Sequence, residues 1–310
     1  MIETIQLSKR FKEKTVVEGV DLYLDKGESV GLLGPNGAGK STTISIISSL
    51  LKPTTGDVKL DGESVIKNPG DIRKVLGVVP QEIALYQELT AYENLKFFGR
   101  IYRVPKSQLE SRIQTTLELV GLKDRQKDLI KTFSGGMKRR INIASALLHH
   151  PKILILDEPT VGIDPQSRNY ILEMIRKLNE QEGTTVLYTS HYMEEVEQLC
   201  DRVYIMDHGK VIASGSQSEL LSILSNEDTM KVQLNQMSNE LVKAILEIDV
   251  VRHVEETGDS IKIIAKKSSN IISNLVKLAD QQNIKIMNFQ MENPSLEDVF
   301  LHLTGRTLRD

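Results

Sequence analysis

The feature that most constrains this chain is GPNGAGKST, residues 34–42, set between the apolar run ESVGLL and a helical pattern over 40–51 that Lys52-Pro53 ends. It fits G-x-x-x-x-G-K-[ST] in the strand–loop–helix context that gives the pattern its physical meaning. Glycine takes dihedrals closed to other residues and lets backbone approach a ligand closely. Successive N–H groups then converge on one anion, and the helix N-terminus adds its dipole. Gly34, Pro35, Asn36, Gly37, Ala38, Gly39, Lys40, Ser41 and Thr42 are the nucleotide-binding candidates, with Lys40 reaching the β- and γ-phosphates and Ser41 a ligand for Mg²⁺.

The rest of the chain reads as the fold such a loop needs. Strand patterns at 3–7, 17–24 and 28–33 precede and enter the loop, and VKLDG and VLGVVPQ follow it. From about 86 to 150 nearly every segment has the i, i+3, i+4 spacing of helices. Alternation then returns: ILILDEP, a helix at 166–181, a strand at 184–189, a helix at 193–199 and a strand at 202–206. Strands alternating with helices predict a mostly parallel sheet covered on both faces, and the stretch 86–150 an inserted helical subdomain. The polar patch SNEDTM places a boundary between a first domain, 1–226, and a second, 227–310. The second reads βαββαβ over 230–291, a small α+β ferredoxin-like arrangement, with SLEDVFLHLTG as a closing helix.

ILILDEPT puts Asp157 and Glu158 where a buried strand ends, and ligands of doubly wound sheets bind at that edge. Asp157 suits Mg²⁺ and Glu158 the polarising of an attacking water. Two solvated loop carboxylates would be the better reading without the phosphate loop upstream. A second glycine motif, FSGGMKRR, lies about a hundred residues beyond the first, with Ser134 a natural cap for a helix starting at Gly135 or Gly136. The cations Lys138, Arg139 and Arg140 stand at the helix end that disfavours them. They are about 100° apart around the helix, so at most one can face a phosphate, and the others are expected to be solvated or paired with acids.

In that order, GPNGAGKST, Gln81 after a strand, FSGGM, ILILDEPT, GID and His191 after a strand resemble the nucleotide-binding domain of ABC transporters over residues 2 to about 220. With the PSLEDVFLHLTGR ending, the whole chain resembles the ATPase subunits of bacterial drug-resistance-type exporters, which carry an extra C-terminal domain. The resemblance implies a P-loop NTPase core with an antiparallel β subdomain, ATP and Mg²⁺ as ligands, and a head-to-tail dimer with a second copy or a related subunit. It implies that Phe11 stacks on adenine, where an ordinary packed phenylalanine is the alternative. It also implies that Gln81 contacts Mg²⁺ or the attacking water, that His191 bonds the γ-phosphate, and that Glu158 is the catalytic base. By the same resemblance, Ser134, Gly135, Gly136 and Met137 are expected to complete the partner's site, and Asp164 to face the partner's phosphate loop. FSGGM departs from Leu-Ser-Gly-Gly-Gln at both ends but keeps Ser134, Gly135 and Gly136. Transmembrane permease subunits are expected to dock near residues 82–98, with Leu85, Tyr86 and Leu89 the candidate surface; helical-subdomain core is the competing reading of those side chains. The resemblance also implies that the chain works at the cytoplasmic face of the membrane.

Composition bears on the competing classes. The first 226 residues carry 29 basic and 29 acidic side chains, and 227–310 carry 10 and 13, so neither part has the basic excess of a nucleic-acid binder. The single cysteine, Cys200, excludes an internal disulfide and fits a reducing compartment. No apolar run reaches the ~20 residues that span a bilayer, and the N-terminus has no leader-like apolar core. The alternative is a soluble ABC-type ATPase remodelling nucleic acid or ribosomes. It would carry two ATPase halves, long coiled coils or a basic surface, none of which is present. A nucleotide-regulated binding protein without turnover is disfavoured by the joint presence of Glu158 and His191.

Overall fold

The structure is a computed structural model that describes residues 1–267 and 271–305. It divides into two compact units, Met1–Ser214 and Gly215–Asp310. The expected boundary at 226 moves because the helix Gln217–Ser222, with buried Leu220, packs on the C-terminal helix Leu296–Thr304 and so belongs to the second unit.

In the first unit, β1 (Ile2–Phe11), β2 (Lys14–Val20), β3 (Tyr23–Leu24), β5 (Thr55–Leu60) and β6 (Glu63–Ser64) form an antiparallel sheet. The single strand expected over 17–24 is split into β2 and β3. The Thr4 hydroxyl enters the gap, donating to the Val20 carbonyl at 2.9 Å and accepting from Leu22 N–H at 2.7 Å. A six-stranded sheet lies on the other side of the phosphate-loop helix α1 (Lys40–Ile47). Its order is β11 (Lys210–Ser216), β10 (Arg202–Asp207), β4 (Ser29–Leu33), β9 (Thr185–Ser190), β8 (Ile153–Asp157), β7 (Leu76–Val79). From β10 to β7 every neighbour pair is parallel. β4, β8 and β9 are buried along their whole length, the mark of strands covered on both faces. One apolar core joins Leu7, Val17 and Val58 of the antiparallel sheet, Ile44 and Ile47 of α1, and Leu32, Ile155 and Leu187 of the parallel sheet.

The insertion is helical as expected. After the short α2 (Pro69–Val75) and β7 come α3 (Ala91–Ile101), α4 (Lys106–Leu119) and α5 (Gly135–Leu147), which pack on one another. Thr90 and Glu93 form a reciprocal capping box at the start of α3. Returning to the sheet, α6 (Pro165–Glu182) follows β8 and α7 (Met193–Leu199) follows β9. Among the described residues no helix is long and apolar enough to cross a membrane.

The second unit begins with α8 (Gln217–Ser222). It continues as β12 (Glu227–Leu234), α9 (Asn239–Leu246), β13 (Val251–Thr257), β14 (Ser260–Lys266), α10 (Ile271–Gln281), β15 (Ile286–Glu292) and α11 (Leu296–Thr304). The four strands form one antiparallel sheet in the order β13-β14-β12-β15. Residues 269 and 270 of the helix expected over 269–282 lie outside the described residues. Alternate residues Met230, Val232 and Leu234 of β12 pack with Leu241 and Ile245 of α9 and Leu275 of α10. At the chain end α11 is anchored by Asp298, which is 1% exposed, caps the helix with Ser295 and pairs with Lys262 at 2.7 Å.

Candidate nucleotide-hydrolysis site

Register brings the expected residues together. Leu32 of β4 pairs with Thr189 of β9, and Thr189 pairs with Asp157 of β8. All three strands run in one direction, so their C-terminal ends open onto one edge. There the phosphate loop leaves β4, Glu158 follows β8 and His191 follows β9. Gln81 arrives two residues after β7, whose Val79 pairs with Leu156. The strands occur in the chain as β4, β7, β8, β9 but lie in the sheet as β4, β9, β8, β7.

The phosphate loop has the backbone its glycines permit. Gly37 and Gly39 have φ of 81° and 104°, in the left-handed region. A Cβ on Gly37 would meet nothing within 4 Å, so dihedral freedom is the reason for glycine there. Lys40 is 5% exposed and folds back over its own loop, its ammonium donating to the carbonyls of Gly34 at 2.7 Å and Pro35 at 3.2 Å. The cleft beside it, of about 230 Å³, is lined by residues of the loop from Asn36 to Thr42 together with Val16, Gln81 and Glu158. None of Ser134, Gly135, Gly136 or Met137 lines it.

Glu158 is the hub of the site. Its carboxylate is 3.4 Å from the Lys40 ammonium through Oε1 and 3.4 Å from His191 Nδ1 through Oε2, and it accepts from Gln81 Nε2 at 3.3 Å. The residue is 5% exposed with φ of 47°, a conformation that costs a non-glycine residue roughly 1–3 kcal/mol. Thr189 holds it there. Its hydroxyl oxygen accepts from Glu158 N–H at 2.9 Å while the hydroxyl donates to Asp157 Oδ1 at 2.8 Å. One side chain thus sets both acids. Thr189→Val, of the same shape without the hydroxyl, is expected to lower kcat by roughly tenfold, about 1.4 kcal/mol of barrier. ATP affinity should be little changed, as steady-state turnover and a nucleotide titration will show.

Behind the acids lies a second carboxylate that the sequence did not single out. Glu195 of α7 is 2% exposed. Its Oε2 accepts from Thr160 at 2.8 Å, Tyr188 at 2.9 Å and Ser190 at 2.8 Å, and Arg168 Nε lies 3.3 Å from Oε1. Burial, with Glu195 beside it, pushes the Tyr188 phenol well above its ordinary range. The cluster ties the segment after Glu158, the residue before His191 and the first turn of α6, through Arg168. Thr189, Glu195 and Arg139 were all missed as site residues. Only Arg139 left a trace in the sequence, as one of three cations in an unfavourable place.

The second glycine motif forms a helix terminus of its own. Ser134 caps α5, its hydroxyl oxygen accepting from Met137 N–H at 3.3 Å. The two glycines differ in purpose. A Cβ on Gly136 would lie 2.1 Å from Ser167 Oγ, so this glycine is required by packing against α6. A Cβ on Gly135 would meet only the Gly162 carbonyl, at 3.9 Å, and this glycine faces open space. Asp164 caps α6 by accepting from Ser167 N–H at 2.8 Å, and that bond holds its carboxyl below the usual range. The expectation for the cations needs correcting. Arg139 is 4% exposed and Arg140 lies over the Tyr170 ring at 4.9 Å, donating to the Val120 carbonyl at 3.0 Å; among the described residues neither guanidinium forms an ion pair with an acid. Phe11, at the end of β1, is 45% exposed, which removes the packed-core reading of that ring.

Comparison with known proteins agrees with this geometry. The family described as "ABC transporter" matches residues 17–161. The chain is 47% identical to the linearmycin resistance ATP-binding protein of Bacillus subtilis (strain 168) over the full length of both. It is 36% identical to the daunorubicin/doxorubicin resistance ATP-binding protein of Streptomyces peucetius over all of this chain and 94% of that one. It is 35% identical to the Nod factor export ATP-binding protein I of Ralstonia nicotianae over 98% and 94%. Among solved structures, an ATP-binding subunit of an ABC transporter superposes with a TM-score of 0.66 at 32% identity, over 73% of this chain and 93% of that one. A dimeric ATP-binding cassette in a post-hydrolysis state with ADP and phosphate gives 0.64 at 28% identity, over 70% and 98%. The chain belongs to the ABC transporter family, as an ATP-hydrolysing subunit of the branch that contains these drug-resistance and export proteins.

Proposed function

We propose that this subunit drives export as a head-to-tail pair on the cytoplasmic face of a membrane, with transmembrane subunits supplied by other chains. The observation that carries this is the separation of two half-sites in one chain. The phosphate-loop cleft contains Lys40, Gln81 and Glu158, yet the capped terminus of α5 does not line it and presents Gly135 to open space. A second copy, or a related subunit, would bring its Ser134, Gly135, Gly136 and Met137 to the triphosphate, with Asp164 facing the opposite loop. Phe11 would receive the adenine on its exposed ring.

Within the site, the triphosphate replaces Glu158 as the anion facing Lys40. Glu158 then orients the attacking water and takes its proton, while His191 and Gln81 hold the γ-phosphate and the water in line. Among the described residues no cluster of three or more His, Cys, Asp or Glu could hold a metal alone. The Ser41 hydroxyl, the Gln81 amide oxygen and the Asp157 carboxylate are hard oxygen donors, which suits Mg²⁺, an ion that takes few protein ligands beside phosphates and water. Bound there, Mg²⁺ would neutralise charge developing on the phosphates.

The membrane partner fits the exposed aromatic step at the start of the helical insertion. Tyr86 and Phe97 are 51% and 37% exposed, with ring centroids 4.9 Å apart, and Phe98 lies 5.5 Å from Phe97. Buried Asn94 holds this segment by bonding Tyr86 N–H and the carbonyls of Tyr86 and Thr90. Exposed aromatics of this kind mark protein contact surfaces. In the second unit, the βαββαβ order with sheet order β13-β14-β12-β15 supports a ferredoxin-like fold. The test is purification of the full chain from membranes. Co-purification with a multi-span protein, lost on Tyr86→Asp with Phe97→Asp, is expected. Recovery with ribosomes or nucleic acid instead would support the remodelling alternative.

A further inference from the structure

α5 does more than present a helix terminus. Arg139 is a buried guanidinium whose two terminal nitrogens donate to the carbonyls of Pro80, at 2.7 Å, and Gln81. One turn further on, the Asn142 side chain, 2% exposed, accepts from Ala84 N–H at 3.3 Å. Residues three apart share one face of a helix, so a single face of α5 grips the segment 80–84 at both ends. The grip is costly to break. Arg139 has no carboxylate bonded to it among the described residues, and its Nε has no hydrogen-bond partner there. Burial lowers its affinity for a proton, opposed in part by the fields of Tyr188 and Asp157, and the two carbonyls accept the hydrogen bonds of its terminal nitrogens. Moving the segment away from α5 would strand a buried charge.

From this we infer that Arg139, with Asn142, is a positioning device that makes the Gln81 segment move with α5, so that the nucleotide held by one copy sets the catalytic carboxylate of the other. The inference rests on the head-to-tail reading. A triphosphate bound in the partner's phosphate loop meets Ser134 and Gly135 at the terminus of α5. α5 is a continuous helix of 13 residues and responds as a unit. Arg139 and Asn142 carry that displacement to the backbone of residues 80–84, and the Gln81 amide, 3.3 Å from Glu158, carries it to the base. Arg139 touches neither nucleotide nor water in this scheme. The basic run after the glycines thereby has a use unrelated to phosphate binding.

Amide hydrogen exchange in the full chain tests this. In a Glu158→Gln background, which should hold ATP without turning it over, ATP is expected to protect both 134–140 and 81–86. Adding Arg139→Gln should leave the first segment protected and let the second exchange roughly ten- to a hundredfold faster, the weight of one or two charge-assisted hydrogen bonds. Asn142→Ala should act in the same direction by a smaller factor, and it keeps the test open if Arg139→Gln does not fold. Continued protection of both segments would overturn the inference. So would loss of both while the pair still forms on a sizing column. If Glu158→Gln alone fails to pair with ATP, the head-to-tail reading falls. The clamp is then judged in the monomer, where faster exchange at 81–86 in Arg139→Gln supports it and unchanged exchange removes it.

Discussion

Glu158→Gln lowers ATP turnover by roughly 10²–10⁴-fold, the usual worth of a positioned base, and leaves the nucleotide bound in a stable pair of chains. Glutamine keeps the shape of the side chain and an oxygen for the Gln81 amide and His191. It cannot take a proton from water, and it removes the anion that now faces Lys40. Binding should therefore be retained or strengthened while chemistry is lost. Backbone strain does not confuse the result, because Thr189 holds residue 158 through its N–H, which the substitution leaves in place. Single-turnover hydrolysis and sizing-column elution with ATP are the measurements. Wild-type turnover in this variant would take the role of base away from Glu158.

Gly135→Asp is expected to abolish pairing and to lower turnover by roughly 10² or more, the scale of losing one donor aimed at developing charge, while the isolated chain still binds ATP. The open space at Gly135 admits the new side chain. A carboxylate in the first turn of α5 is favourable for the helix itself, by a few tenths of a kcal/mol up to about 1. The same group would face the partner's triphosphate with like charge. One substitution thus leaves the single chain as stable as before, or slightly more so, and blocks closure. Gly136→Asp is the contrast. Its Cβ would strike Ser167, so that variant should lose stability in the single chain. If Gly135→Asp weakens ATP binding by the monomer as much as it weakens pairing, the motif belongs to its own chain's site and not to the partner's.

Much of the site was legible because its chemistry is local. The phosphate loop, the acids closing an apolar strand and the serine before two glycines each declare themselves within ten residues. Phe11 was placed by resemblance, and its ring is exposed. What was not legible depends on distance along the chain. Thr189 is an ordinary strand threonine until β9 is known to lie beside β8, which turns it into the group that sets Asp157 and Glu158. Glu195 looks like one more acid in MEEVEQL, yet it collects three hydroxyls from two separate segments. The cations of MKRR were expected in solvent or beside acids. Two of them are partnered by backbone carbonyls 20 and 59 residues away, which charge pairing in the sequence cannot suggest. The domain boundary moved for the same reason, since α8 is assigned by what it packs on.

By itself the sequence determined the P-loop NTPase core, the phosphate loop and the identities of the candidate base and the capped second motif. Those follow from hydrophobic period, glycine dihedrals and helix capping, which act over a few residues. The tertiary structure alone decided which strands are neighbours and which side chain holds Glu158 in a left-handed turn. It also showed that Gly136 serves packing while Gly135 faces outward, and that α5 grips the Gln81 segment. Strand order and burial are properties of contacts between distant segments, and the same local pattern is compatible with several of them. Only the folded chain selects one, because only there do a hydroxyl, a buried guanidinium and two carbonyls meet at bonding distance.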